Sequence, residues 1–166
     1  HAHLAVPDGI GILWAATFLH ITRNNRSRFV ILSKAFFSLL SLLLYPRFCK
    51  KIFRSRVTGT DLFLDVVDQS RHRGLGIFLL GAQEGVAEKT AEILQKRFPG
   101  AEIVGTYAGS PRESDLPHIT ALIKKTKPDL LFVAYGAPQQ ELWIAKNLKN
   151  FPSVRFAMGI GGAFDF

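Results

Sequence analysis

The chain has 166 residues and a formal net charge of +8, with 48% hydrophobic residues, 20% charged residues and one cysteine. This is the composition of a globular domain with room for a core. It excludes a disordered tail, an internally disulfide-stapled scaffold and, with no Cys/His ligand spacing, a zinc module. The charge is lopsided: residues 9–60 hold nine Lys or Arg and no acid, whereas the rest holds twelve basic and thirteen acidic residues. A neutral body with one cationic segment argues for a local anionic partner and against a nucleic-acid-binding fold.

The chain opens on "VPDGIGILWAATFLH" (6–20), an acid and two glycines in front of an apolar pattern that predicts a helix over 9–22. Asp8 has no other carboxylate near it until Asp61. The bland role for such an acid is helix capping, and the sharper one is contact with a substrate. Starting at His1 and stopping within "GGAFDF", the sequence reads as the central portion of a longer domain.

Residues 29–45 are 17 positions, 13 of them hydrophobic, with Arg23, Arg26 and Arg28 before them and Arg47, Lys50 and Lys51 after. Lys34, Ser38, Ser41 and Tyr45 fall on one helical stripe. The run is short of the roughly 20 residues a spanning helix needs and carries a lysine inside it. Cationic flanks on both sides also disfavour crossing. The expectation is an amphipathic insertion over residues 23–55 lying on an anionic membrane surface. The competing reading is a helix packed on protein, and an exposed apolar insertion also favours a homo-oligomer over a lone monomer.

From residue 57 onward helical and strand-like patterns alternate. "DLFLDVVDQSRH" (61–72) predicts a helix, "GIFLLG" (76–81) a buried strand, "QEGVAEKTAEILQKRF" (83–98) a helix stopped by Pro99-Gly100, and "AEIVGTYAG" (101–109) a strand. "SDLPHITALIKKT" (114–126) predicts a helix with Ser114 as N-cap, "DLLFVAYG" (129–136) a buried strand, "PQQELWIAKNLKN" (138–150) a helix, and "VRFAMGIGG" (154–162) a last strand. Regular alternation implies right-handed βαβ units. The expected fold is thus a single α/β domain over residues 1–166, a Rossmann-like parallel sheet with helices on both faces, carrying the amphipathic helical insertion.

In such sheets ligands bind beyond the carboxyl ends of the strands. That rule selects "PDGIG", "LLGAQEG", "GTYAGSPR", "AYGAPQQE" and "GIGGAFDF". The candidate binding positions are Gly9 and Gly11 in the first bend, and Gly81, Gly136, Gly161 and Gly162 at strand ends. Pro138, Gln139 and Glu141 join them at a helix start, where N–H groups suit a diphosphate and glutamines suit sugar hydroxyls or a uracil edge. Thr58, Gly59, Thr60 and Asp61 open another helix, where capping by Thr60 or Asp61 competes with sugar binding. His1, His3, His20, His72 and His118 are scattered, and no metal site is expected. Neither a dinucleotide fingerprint nor a Walker sequence nor a GxSxG elbow is present.

Together, "PDGIGILWAA", "RVTGTDLFLDVV", "GIFLLGAQEGVAEKTAEIL", "EIVGTYAG", "DLLFVAYGAPQQELWIAKN" and "GIGGAFDF" resemble the ordered blocks of the WecG/TagA/CpsF glycosyltransferase family. The resemblance covers nearly all of the chain except residues 23–55. It implies inverting transfer of an N-acetylmannosamine-type sugar from a UDP-sugar donor to a polyprenyl-diphosphate-linked N-acetylglucosamine acceptor, without a cofactor, on the cytoplasmic face of the membrane. It also implies catalytic residues: Asp8 as the base, and Gln140 from "GAPQQE". Family portions at both ends have no counterpart here, and the insertion replaces a usually short linker. The alternatives are a non-catalytic membrane-associated scaffold and a nucleotide-dependent oxidoreductase, the latter lacking its fingerprint.

Overall fold

The structure is a computed structural model that describes residues 58–162 and 164, and before them only the helical positions 15, 18, 19, 22, 30, 32–34, 36, 37 and 40. Asp8, Gly9, Gly11 and most of residues 23–55 lie outside the described residues. The chain divides into two compact units, Ala5–Thr58 and the rest.

In the first unit, hydroxyls fold back on helical backbone. Thr22 Oγ1 donates to the Phe18 carbonyl at 2.8 Å and Ser33 Oγ to that of Val30 at 3.0 Å. Leu32, Phe36 and Leu40, spaced by four, are 68%, 67% and 40% exposed, as is neighbouring Phe37 at 68%. Ser33 and Lys34 are half-buried. Among the described residues of this stretch, the most exposed side chains are therefore apolar. No helix among the described residues is long and apolar enough to cross a membrane.

The second unit runs α1 (Gly59–Arg71), β1 (Ile77–Gly81), α2 (Val86–Arg97), β2 (Ile103–Tyr107), α3 (Leu116–Thr126), β3 (Leu130–Ala134), α4 (Gln139–Asn147) and β4 (Phe156–Gly159). A 3-10 turn, Leu148–Asn150, finishes α4. The four strands form one parallel sheet in the order β2-β1-β3-β4. The central strands β1 and β3 are buried along their whole length, as continuous apolar runs covered on both faces should be.

Alternation along the strands builds the two faces. Ile77, Leu79, Leu130 and Phe132 meet Phe63 and Val67 of α1 and Ala87 and Leu94 of α2 on one side. Phe78, Leu80, Leu131 and Val133 meet Ile119 and Ile123 of α3 and Trp143 of α4 on the other. Each fully buried large side chain among these contributes about 1.5–3 kcal/mol of transfer free energy. The helices change face because the chain changes direction: from β1 it steps outward to β2, then crosses back to β3. With right-handed crossovers, the two directions put the helices on opposite faces.

At three helix starts the structure departs from the sequence reading in what opens or caps the helix. Ser114 is not the cap of α3: Asp115 occupies that position, and the Ser114 hydroxyl donates to the Asp115 carboxylate at 3.1 Å. Asp115 turns back to accept the Ser110 N–H at 2.8 Å, so it closes the preceding loop instead of capping the helix. The helix expected from Gln83 starts at Val86, after Gly85 takes a left-handed conformation with φ 80°. Finally α1 starts at Gly59, which puts Thr60 and Asp61 inside its first turn. There Asp61 complements the positive end of the helix dipole without being the cap.

Candidate active site

Four of the five glycine-rich segments lie along one edge of the sheet, at the carboxyl ends of β1 to β4. Between β1 and β3 the strand order reverses direction, which makes that crevice the topological switch point of the fold. The ends of these two strands close tightly on each other. Gly81 adopts φ +98°, and a Cβ there would lie 2.8 Å from the Tyr135 ring and 2.9 Å from the Ala134 carbonyl oxygen. The Ala82 N–H donates to that same carbonyl at 3.1 Å. Only glycine fits.

After β3, Gly136 at φ +78° turns the chain through a cis Ala137–Pro138 bond into α4. The Gln140 N–H donates to the Gly136 carbonyl at 3.0 Å, and no side chain caps the helix. Pro138, Gln139 and Glu141 are exposed, so this helix start is open to a ligand and its dipole favours an anion.

Gln140 points the other way. It is buried, and its Oε1 accepts the Gly161 N–H at 2.9 Å while its Nε2 donates to the Glu141 carboxylate at 2.9 Å. Gly159 makes room for it: a Cβ at that position would come within 2.7 Å of the amide nitrogen. The "GAPQQE" and "GIGG" turns are thus joined through one amide. The amide of Gln140 thereby fixes the start of the Gly161–Gly162 turn. That turn is anchored further on, where buried Phe164 packs 6.0 Å from the Phe63 ring and its carbonyl lies 3.1 Å from the Thr90 hydroxyl. Phe63 of α1 thus packs against the segment that follows the Gly161–Gly162 turn.

The connection from β2 to α3 forms the neighbouring wall. Pro111, Arg112, Glu113 and Leu116 face Gln139, Leu142, Trp143 and Lys146 of α4 across a groove of about 320 Å³. Lys146 donates to Glu113 across it, which holds the Glu113 carboxyl below its ordinary value. The Ser110 N–H does the same for Asp115.

Tyr135 sits at the switch point itself, its ring 5.6 Å edge-on from Trp143. Its hydroxyl is buried without a hydrogen-bond partner. Desolvation, reinforced by the charge of Asp115 and by Tyr107, pushes its pKa well above that of a free phenol. Tyr135 and Asp115 are not among the site residues expected from the sequence. An aromatic between a buried strand and a Gly-Ala-Pro turn was the available signal for the first. Asp115 had none, because its partner is a loop N–H. Among the described residues no group of three or more His, Cys, Asp or Glu side chains is placed to hold a metal ion.

A doubly wound α/β domain whose strand ends carry glycine turns beside an open helix start belongs to the Rossmann-like ligand-binding class. More narrowly, the chain belongs to the glycosyl transferase WecG/TagA/CpsF family, whose pattern matches residues 40–166. It is similar to an N-acetylglucosaminyldiphosphoundecaprenol N-acetyl-beta-D-mannosaminyltransferase of Bacillus spizizenii (strain ATCC 23059 / NRRL B-14472 / W23), 34% identical over 138 residues, covering 81% of this chain and 52% of that protein. Proteins of the same name from Bacillus subtilis (strain 168), 28% identical over 145 residues, and Staphylococcus aureus (strain NCTC 8325 / PS 47), 30% over 116, cover 86% and 70% of this chain. The shared regions are 56% and 44% of those two proteins. The chain therefore spans about half the length of these relatives.

Proposed function

We propose that this chain is the donor-binding core of an inverting glycosyltransferase that moves an N-acetylmannosamine-type sugar from a UDP-sugar to a polyprenyl-diphosphate-linked N-acetylglucosamine. The observation that carries the reading is the pair of motif turns, "GAPQQE" and "GIGG", locked together by Gln140 at the carboxyl edge beside the switch point. The names of the similar proteins supply the sugar and the lipid-linked acceptor.

In this reading the acceptor hydroxyl attacks the anomeric carbon while the Asp8 carboxylate takes its proton. The bond to the UDP oxygen breaks, and the open start of α4 stabilises the charge gathering on the diphosphate. No cofactor is invoked. Calorimetric titration with UDP and with NAD tests the assignment. UDP binding without NAD binding supports it, and NAD binding alone overturns it in favour of an oxidoreductase. Asp8→Asn in the full-length enzyme then separates the base from a helix cap: turnover falls at least about 100-fold if Asp8 takes the proton, and is retained if it only caps.

The acceptor's lipid gives residues 23–55 a purpose at the cytoplasmic membrane face. The outward apolar stripe Leu32, Phe36 and Leu40, flanked by cationic residues, matches an anionic bilayer surface. Sedimentation with anionic liposomes, with and without residues 24–54, tests this. Equal pelleting removes the segment as an anchor, and concentration-dependent self-association without pelleting assigns the stripe to a second copy of the chain.

A further inference from the structure

We infer that the Tyr135 hydroxyl is a specificity-determining hydrogen-bond donor, reserved for an oxygen acceptor of the nucleotide-sugar that enters the crevice between β1 and β3. The inference rests on the donor-binding reading above and adds a residue to it.

Buried polar groups in folded proteins are nearly always hydrogen-bonded, and one left unmet opposes folding. Tyr135 breaks that rule: its hydroxyl is the buried side-chain atom without a partner among the described residues. Packing does not require the oxygen. The ring meets Trp143 edge-on and closes against Gly81, contacts a phenylalanine would reproduce. The position is also the one where parallel sheets bind ligands, the end of a central strand at the reversal of strand order.

The nearby groups leave the role open to a ligand. Asp115 acts on Tyr135 through its charge, but the hydrogen bonds its carboxylate accepts come from the Ser110 N–H and the Ser114 hydroxyl, not from the phenol. Burial keeps the phenol protonated, so it donates and does not act as a base. Access requires a neighbour to yield, and the connection carrying Asp115 is lightly held. Its Glu113 reaches α4 across a groove of about 320 Å³ through an ion pair with Lys146 whose side chains are 82% and 65% exposed. Exposed pairs of this kind contribute little. Ligand entry shifts this connection and gives the hydroxyl its acceptor.

The test is Tyr135→Phe against wild type, by calorimetric affinity for UDP and for UDP-N-acetylmannosamine, with urea midpoints of both unliganded proteins. The expected result is an affinity loss of about three- to tenfold with an unliganded midpoint equal to or above wild type. Loss with UDP alone as well places the acceptor oxygen on the nucleotide, and loss only with the full donor places it on the sugar. Equal affinities in a wild type that binds both ligands overturn the role of Tyr135 while leaving the donor-binding reading standing. A lowered midpoint without ligand also overturns it, because the hydroxyl then has an internal partner. A wild type that binds neither ligand overturns the donor-binding reading and this inference together.

Discussion

Gln140 and Gly161 stand 21 residues apart in sequence and meet in a 2.9 Å hydrogen bond from the glycine N–H to the buried glutamine oxygen. The bond ties the start of α4 to the turn after β4, two edges of one candidate site. Replacing Gln140 by Ala leaves that N–H without its side-chain partner and opens a gap beside Gly159. The expected cost is about 1–3 kcal/mol in urea unfolding, together with faster amide exchange at Gly161. Unchanged exchange there would show that the turn holds its shape without the glutamine.

Gly159 tests the same contact from the other side. A methyl group there would lie 2.7–2.8 Å from three side-chain atoms of Gln140, so Gly159→Ala should destabilise by about 1–3 kcal/mol through overpacking. Combining it with Gln140→Ala removes the collision. The double variant should then be more stable than the sum of the single effects by at least about 0.5 kcal/mol. Strict additivity would place the clash elsewhere.

Gly81 and Gly85 separate strain from space. Both have positive φ, +98° and +80°, but a Cβ on Gly85 meets nothing within 4 Å whereas one on Gly81 meets Tyr135 and the Ala134 carbonyl. Gly85→Ala should cost roughly 1–2 kcal/mol, the left-handed penalty alone. Gly81→Ala adds overpacking of about 1–3 kcal/mol against backbone that cannot move aside. Thermal denaturation of the two variants gives the ordering, and equal losses would mean that the strand ends part easily.

The alternation of helix and strand was legible because each element carries its own period. The runs at Ile77 to Gly81 and Leu130 to Ala134 read as short buried strands ending at or near a glycine, and both are fully covered. The parallel order then placed the glycine turns on one edge without further information. What could not be read was which side chains reach across. Gln140 belongs to a motif that invites a substrate role, yet its amide binds a turn 21 residues later. Ser114 looks like a better helix cap than Asp115, but a loop N–H at Ser110 outcompetes the helix for the aspartate. Such choices depend on long-range geometry, and local propensity carries no trace of them. Asp8, Gly9 and Gly11 lie outside the described residues and enter the site as a proposal from sequence alone.

Asp115 makes the β2–α3 connection sensitive to acid. The Ser110 N–H, then the Ser110 and Ser114 hydroxyls, favour its ionised form and hold its pKa below the ordinary 3.8. A carboxyl depressed on folding contributes stability that is fully present above its unfolded pKa and disappears as pH falls through the lower folded value. The Ser110–Asp115 contact inside the connection should therefore persist at neutral pH and weaken only below about pH 4. An NMR titration of the carboxyl carbon should give a midpoint below 3.8 for Asp115, with the Ser110 amide shift following the same curve. Ser114→Ala should raise that midpoint only slightly, because the largest contribution comes from a backbone donor it leaves in place. In Asp115→Asn the Ser110 amide should lose its acid-dependent step altogether. A step that survives would assign the titration to another group, with Glu113 and its Lys146 partner the next to replace.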